Sequence, residues 1–218
     1  MLKWISRTAR AAAIAALVAL GTTALSAQLA SRPADEWLKT LEAPERVAGL
    51  KVDQVVAALK LRPTDVVADL GAGTGLFEVA LAKAVPSGRV YAVELDEAFF
   101  PHIQAKVKAA GVTNVRTVAG KFTDPSLPGR DVDVAFFHDV LHHVENRAAY
   151  LKTLTGYLKP GARIVVVEFT AADSPHKDQP ALVVGKEQGA QLMAGIGFTP
   201  SEDHALFKDK WFVGYTKR

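Results

Sequence analysis

Val66-Val67-Ala68-Asp69-Leu70-Gly71-Ala72-Gly73-Thr74-Gly75-Leu76-Phe77 reads as a buried strand, a glycine turn and the opening of a helix. Val66 to Leu70 is a short apolar run with β-branched residues, the composition of a central parallel strand. Gly71, Gly73 and Gly75 let the chain turn sharply and bring bare backbone against a ligand. Thr74 is placed to cap the helix that follows, whose first N–H groups have no partner within it. A turn of this kind accepts an anionic or polar ligand group.

The glycine spacing separates two ligand classes. A dinucleotide fingerprint needs G-x-G-x-x-G. Counted from Gly71 the third glycine falls on Leu76, and counted from Gly73 it falls on Glu78, so the pattern fails both ways. Downstream, Arg89 to Leu95 reads as a second strand ending in Glu94 and Asp96. An acid some 20 residues after a glycine loop can accept both ribose hydroxyls. Glu94 fits that role, Asp96 fits a helix cap, and Leu95 is placed beside an adenine. Phe99 to Ala110 is helical in pattern and Gly111 stops it. Val112 to Ala119 gives a third strand, followed by Gly120-Lys121-Phe122.

Asp131 to Phe137 is the fourth strand, and His138-Asp139-Val140-Leu141-His142-His143-Val144 follows at its carboxyl end. Ligands sit at those ends in doubly wound sheets. Three histidines and an aspartate invite a metal reading. However, His142 and His143 are adjacent, and adjacent side chains do not share a helical face. There is no H-x-x-x-H and no dense carboxylate set, so no metal site is expected. Glu145 to Leu158 is an amphipathic helix closed by Lys159-Pro160-Gly161, and Arg163 to Phe169 is a fifth strand. Ala171 to Pro180 is a polar loop containing His176, too short to insert a substrate domain. Ala181 to Ala194 reads as a helix, and Thr199 to Phe207 with Trp211 to Thr216 as a closing hairpin.

Asp69 before G-x-G-x-G, Glu94 after the second strand, Leu141-His142-His143-Val144 after the fourth, and Leu158-Lys159-Pro160-Gly161-Ala162-Arg163-Ile164 together resemble the class I S-adenosylmethionine (SAM)-dependent methyltransferases of small-molecule type. The resemblance spans Arg62 to Phe169, and Gly197 to Lys217 more weakly. It implies an α/β fold: a doubly wound, mostly parallel seven-stranded sheet, Rossmann-like, with a C-terminal antiparallel hairpin. It also implies SAM as cofactor, held by Asp69, Gly71, Ala72, Gly73, Thr74, Gly75, Glu94, Leu95, Gly120, Lys121, Phe122 and His138. His138 and His142 are the catalytic candidates, and the acceptor is a small molecule. The family often has Gly-Asp after the third strand, its Asp reaching the adenine amino group. Lys121 stands there and carries no acceptor, so that contact is absent or made by backbone.

Two other classes remain open on the sequence: a SAM- or nucleoside-binding protein without methyl transfer, and a nicotinamide oxidoreductase, which the glycine spacing disfavours.

The chain has 218 residues, 49% of them hydrophobic, enough for one domain with a sizeable core. It has no cysteine, which removes disulfides, thiolate metal sites and cysteine nucleophiles. The formal charge is +3, but Lys3, Arg7 and Arg10 lie in a start free of acids. The remainder is balanced, so no nucleic-acid footprint is expected. Residues 1–27 read as an export signal: a basic start, an apolar run from Ala11 to Leu20, a break at Gly21, and small residues at Ala24 and Ser26. The run is short for a spanning helix. The expected organisation is signal 1–27, linker 28–44 and methyltransferase domain 45–218. That places the domain outside the cytoplasm without stable membrane insertion, or anchored there if the signal is uncleaved. Glu45 to Leu59 reads as a packing helix, and Leu76 to Val85 as a deeply buried one.

Overall fold

The computed structural model describes residues 34–217. The signal expected over 1–27 therefore lies outside the described residues. The chain divides into two compact units between Lys39 and Thr40. Of the first, residues 34–39 are described, as part of helix α1 (Ala34–Leu41), which falls in the span read as linker. No helix among the described residues is long and apolar enough to cross a membrane.

The second unit is built on a seven-stranded sheet in the order β3-β2-β1-β4-β5-β7-β6. The strands are β1 (Val66–Leu70), β2 (Arg89–Glu94), β3 (Val115–Ala119), β4 (Val132–His138), β5 (Leu158–Phe169), β6 (Phe198–Asp203) and β7 (Lys210–Lys217). The first five run parallel, and β7 lies antiparallel to both β5 and β6. Because strand side chains alternate, the sheet feeds two apolar layers. Ala68, Leu70, Phe137, Ile164 and Val166 meet Leu151 and Leu154 of α6 (Arg147–Thr155) and Met193 of α7 (Lys186–Ala194). Val67, Phe136, Val165 and Phe212 meet Val55 of α3 (Val52–Ala58) and Leu81 of α4 (Glu78–Ala84). Both faces are covered, which is why β1 and β4 are apolar almost throughout. Strand order reverses between β2-β1 and β4-β5, so loops leaving β1 and β4 diverge over one crevice.

Several boundaries differ from the sequence reading. The helix expected over Glu45–Leu59 is two, α2 (Pro44–Gly49) and α3, broken where Lys51 adopts φ 50°. The Lys51 ammonium donates to the Leu206 carbonyl, 2.8 Å away, a contact made across the fold. The helix after the glycine turn starts at Glu78, not Leu76, and Thr74 does not cap it; Phe77 flanks it without a side-chain cap. Gly75 N–H instead closes a tight turn onto the Ala72 carbonyl. Lys159-Pro160-Gly161 does not separate helix from strand: α6 stops at Thr155, and β5 already begins at Leu158, which pairs with Val132. His138 is the last residue of β4 rather than the first after it. The closing hairpin is present, and Asp96 caps a 3-10 turn (Glu97–Phe99) by accepting from Ala98 N–H. Helix α5 (Phe100–Ala109) follows directly.

Candidate active site

Gly71, Gly73 and Gly75 all have positive φ, 81°, 55° and 81°. L-residues rarely adopt this region, and glycine reaches it without steric penalty. Gly71 and Ala72 both donate to the Val93 carbonyl, which fixes the turn against the end of β2. A Cβ on Gly71 would lie 2.3 Å from Cγ2 of Val140, so the turn after β1 and the segment after β4 touch here. A Cβ on Gly73 would meet nothing closer than Leu41 at 3.9 Å. That glycine is uncrowded, with only an ordinary contact to Leu41, and its N–H donates to Glu94 Oε2 at 2.8 Å. The other Glu94 oxygen accepts from Leu95 N–H at 2.7 Å and Asp96 N–H at 3.2 Å. Burial raises the Glu94 carboxyl above its ordinary value, and these backbone donors offset part of that rise.

Among the described residues the exposed large apolar side chains are Leu95, 41% exposed, and Phe122, 45%. They follow β2 and β3 at the same sheet end, and such a pair fits one face of a flat aromatic ligand. Gly120 lies against the end of β2, where a Cβ would be 2.9 Å from Val93 and 3.7 Å from Leu95. Lys121 bridges to Asp124 through its backbone N–H and carbonyl, and its side chain carries no acceptor. Thr74 is buried, and its carbonyl accepts from the Lys106 ammonium.

Below the turn lie two buried carboxyls, Asp69 and Glu78. Burial pushes Asp69 up to about 7. Burial and the neighbouring Asp69 charge hold Glu78 well above the carboxylate range. Neither Glu78 oxygen finds a well-formed hydrogen bond. Glu78 was not singled out in the sequence, although an acid inside a helix apolar nearly all round is the signal that marks it.

At the end of β4, the His138 ring stacks on Phe77 (centroids 4.9 Å) and meets Phe136 and Phe207 at 6.1 and 6.2 Å. Its Nδ1 lies 3.4 Å from Asp139 Oδ2, and its Nε2 is buried without a partner. Asp139 has φ 54° and takes the buried Lys210 ammonium, which also lies 3.6 Å from the Phe169 ring centroid. Burial raises the Asp139 carboxyl, but His138 and Lys210 override it and hold it down to about 2. The sequence placed Asp139 in this segment without giving it a role, and nothing in the spacing points to Lys210.

His142 and His143 occupy a 3-10 turn (Leu141–His143). Despite adjacency their rings are 4.0 Å apart, and His176 comes within 5.2 and 5.5 Å of them. The sequence argument that neighbours cannot converge assumed a regular helix, and this turn is not one. His142 Nδ1 bonds Glu168 Oε1 at 2.8 Å, inside the fold. Arg147 ties the arrangement together, donating to the carbonyls of Leu141, His142 and Ala181. Burial and the facing histidines hold His143 down to about 3, and burial lowers His176 as well. Thus the cofactor candidates from Asp69 to Gly75, Glu94, Leu95 and Gly120 to Phe122 line one sheet end. His138 and His142 belong to two separate polar groups beside it.

Residues 67–161 match a family model described as a methyltransferase domain. An uncharacterized methyltransferase of Mycobacterium tuberculosis is 29% identical over 122 residues, 56% of this chain and 59% of the relative. A demethylmenaquinone methyltransferase of Geobacillus stearothermophilus is 32% identical over 101 residues, covering 46% of this chain and 43% of its own. The chain spans about half the length of these curated relatives. A SAM-dependent methyltransferase from Aquifex aeolicus shares the fold with TM-score 0.74 at 20% identity, covering 86% of this chain and 100% of that one. The 1,6-didemethyltoxoflavin-N1-methyltransferase of Burkholderia thailandensis, solved with S-adenosylhomocysteine, has TM-score 0.63 at 23% identity over 100% and 93% of the two chains. Residues 67–161 are thus similar to a methyltransferase domain, and solved SAM-dependent methyltransferases share the fold of this chain. The matched stretch runs from β1 through the Lys-Pro-Gly segment, so it includes the glycine turn, Glu94, His138, His142 and His143, but not Glu168, His176 or Lys210.

Proposed function

We propose that this protein transfers the methyl group of SAM to a small-molecule acceptor, with SAM held at the Gly71–Gly75 turn and its ribose on Glu94. The observation that carries the reading is the Glu94 carboxylate reaching from β2 to the Gly73 N–H at 2.8 Å, at a glycine whose Cβ position meets only Leu41 at 3.9 Å. A carboxylate fixed by three backbone donors keeps lone pairs for ribose hydroxyls. Leu95 and Phe122 offer apolar surface to the adenine. Burial raises the Asp69 carboxyl, and a cationic ligand beside it would favour its anionic form. The donor set and the shape of the turn therefore fit the cofactor.

SAM supplies a methyl group already activated by its sulfonium. The protein's task is to align the acceptor and exclude water. The 3-10 turn after β4 and the loop after β5 flank the side on which an acceptor would enter, and we assign it there. The buried His138 Nε2, aimed by Asp139 and walled by Phe77, Phe136 and Phe207, is the group we assign to position the reactants. We further propose that the domain works outside the cytoplasm, on the basis of the basic and apolar leader of residues 1–27; N-terminal sequencing of protein recovered from cells tests this, with a start near Ala27 expected and an intact Met1 in the cytosol contradicting it.

The methyl-transfer reading is tested by incubating the protein with methyl-labelled SAM and a panel of alcohol, phenol, amine and thiol acceptors. Label in a small-molecule product supports it. SAM binding without label in any acceptor favours a binding protein, and NAD binding in place of SAM removes the reading altogether.

A further inference from the structure

The histidine cluster beyond the cofactor crevice has a feature that methyl transfer does not call for. His142, His143 and His176 come from two segments more than thirty residues apart, yet each offers a ring nitrogen within 4.8 Å of the others. His142 is buried, and the other two are half-buried. Glu168, also buried, accepts His142 N–H at 3.2 Å on Oε2 and Phe169 N–H at 3.0 Å on Oε1. The contact at His142 Nδ1 is therefore an N–H donated to a group already serving as acceptor. With the proton on Nδ1, Nε2 carries the lone pair. A carboxylate behind a histidine in this way is the support that metal-ligating imidazoles commonly have.

We propose that His142, His143 and His176 bind a divalent transition metal of the zinc class, with Glu168 as the supporting carboxylate and a fourth position open. Three imidazoles with no oxygen donor suit zinc or cobalt and do not suit magnesium or calcium. Zinc–nitrogen bonds of 2.0–2.1 Å in a tetrahedron put the nitrogens roughly 3.4 Å apart. Ring rotations of about 1 Å at His143 and His176, which sit on a turn and a loop, close the cluster to that spacing. Three protein ligands and one free position is the pattern of catalytic zinc, in which a bound hydroxyl or thiol loses its proton more easily. The site stands on its own geometry. Its use in activating an acceptor rests on the proposed methyl transfer.

Tag-free protein stripped with chelator and dialysed is titrated with Zn²⁺ by calorimetry and with Co²⁺ by visible absorption, with Mg²⁺ as a control. One Zn²⁺ per chain is expected with micromolar affinity or tighter, and Co²⁺ should give the intense visible bands of four- or five-coordination. His143→Ala and His176→Ala should each weaken Zn²⁺ binding at least 100-fold, and Glu168→Gln 10- to 100-fold. SAM affinity and the melting curve of each variant show whether the fold is intact. Wild-type binding weaker than about 100 μM, or tight binding unchanged in His143→Ala and His176→Ala, overturns the site. Loss of SAM binding by metal-competent wild type would instead contradict the methyltransferase reading and leave the metal site standing.

Discussion

Replacing Glu78 by Gln isolates the least conventional group in the fold. Glu78 is fully buried, its two oxygens lack well-formed partners, and burial beside Asp69 holds its pKa well above 4.5. In the unfolded chain the same carboxyl ionises near 4.3. Between that pH and its folded pKa the native state keeps a proton that the unfolded state has lost. A raised folded pKa therefore gives stability that is full below the unfolded pKa and declines as pH rises through the folded value. One such proton changes stability by about 1.4 kcal/mol per pH unit. Asp69, raised to about 7, acts in the same direction. The lowered His143 and His176 act oppositely below about pH 6.5, so the wild-type profile alone is a mixture. The difference between Glu78→Gln and wild type removes the histidine contributions and leaves that of the Glu78–Asp69 pair. Gln is neutral in both states and keeps a donor toward Asp69. Urea unfolding at pH 4.5, 6, 7 and 8 measures the difference between the two proteins, with the value at pH 4.5 as the baseline. The variant should gain about 1.4 kcal/mol per unit above it, until the wild-type Glu78 ionises. A difference that stays flat from pH 4.5 to 8 would show Glu78 titrating normally and refute the reasoning.

Asp139→Ala leaves the Lys210 ammonium buried and unpaired, and should cost about 3–5 kcal/mol; the double change with Lys210→Met should recover much of it in denaturant unfolding. Because the Asp139 pKa is depressed to about 2, its contribution is present above about pH 4 and lost as pH falls through 2. His138→Ala is expected to lower turnover roughly 100-fold while SAM affinity holds; full transfer with a reduced melting temperature would make His138 a purely structural residue. Gly71→Ala sets a Cβ against Val140 at φ 81° and should destabilise by about 2–4 kcal/mol. Gly73→Ala meets only the φ strain, and a loss from it as large as that from Gly71→Ala would contradict the packing account.

The parts legible in the sequence are those set by local pattern. Val66 to Leu70 and Val132 to Phe137 are apolar almost throughout because both faces of a central parallel strand are covered, and that composition needs no tertiary knowledge. The three glycines announced their turn for a similar reason: positive φ is a property of the residue itself. Asp96 was assigned as a cap from sequence position alone, and the structure makes that bond. What stayed hidden depends on partners distant in sequence. Lys51 breaks a helix where its side chain reaches Leu206. Leu158 enters β5 by pairing with Val132, ahead of a register shift that absorbs the Lys-Pro-Gly segment. Glu168 looks like the polar end of a strand, and only the fold shows it clamped under His142. The convergence of His142, His143 and His176 needs an irregular turn and a loop from after β5, and neither has a periodic signature.

Calorimetric titration of SAM into the wild type and into Glu94→Ala tests the central claim most directly. In the proposed reading Glu94 joins the glycine turn to the cofactor ribose, and removing its carboxylate would delete one or two charge-assisted hydrogen bonds to the ligand. One SAM per chain is expected for the wild type, with affinity at least 10-fold lower in Glu94→Ala, whose cooperative melting shows that it is folded. Equal SAM affinity in the two proteins, both folded, would contradict the account.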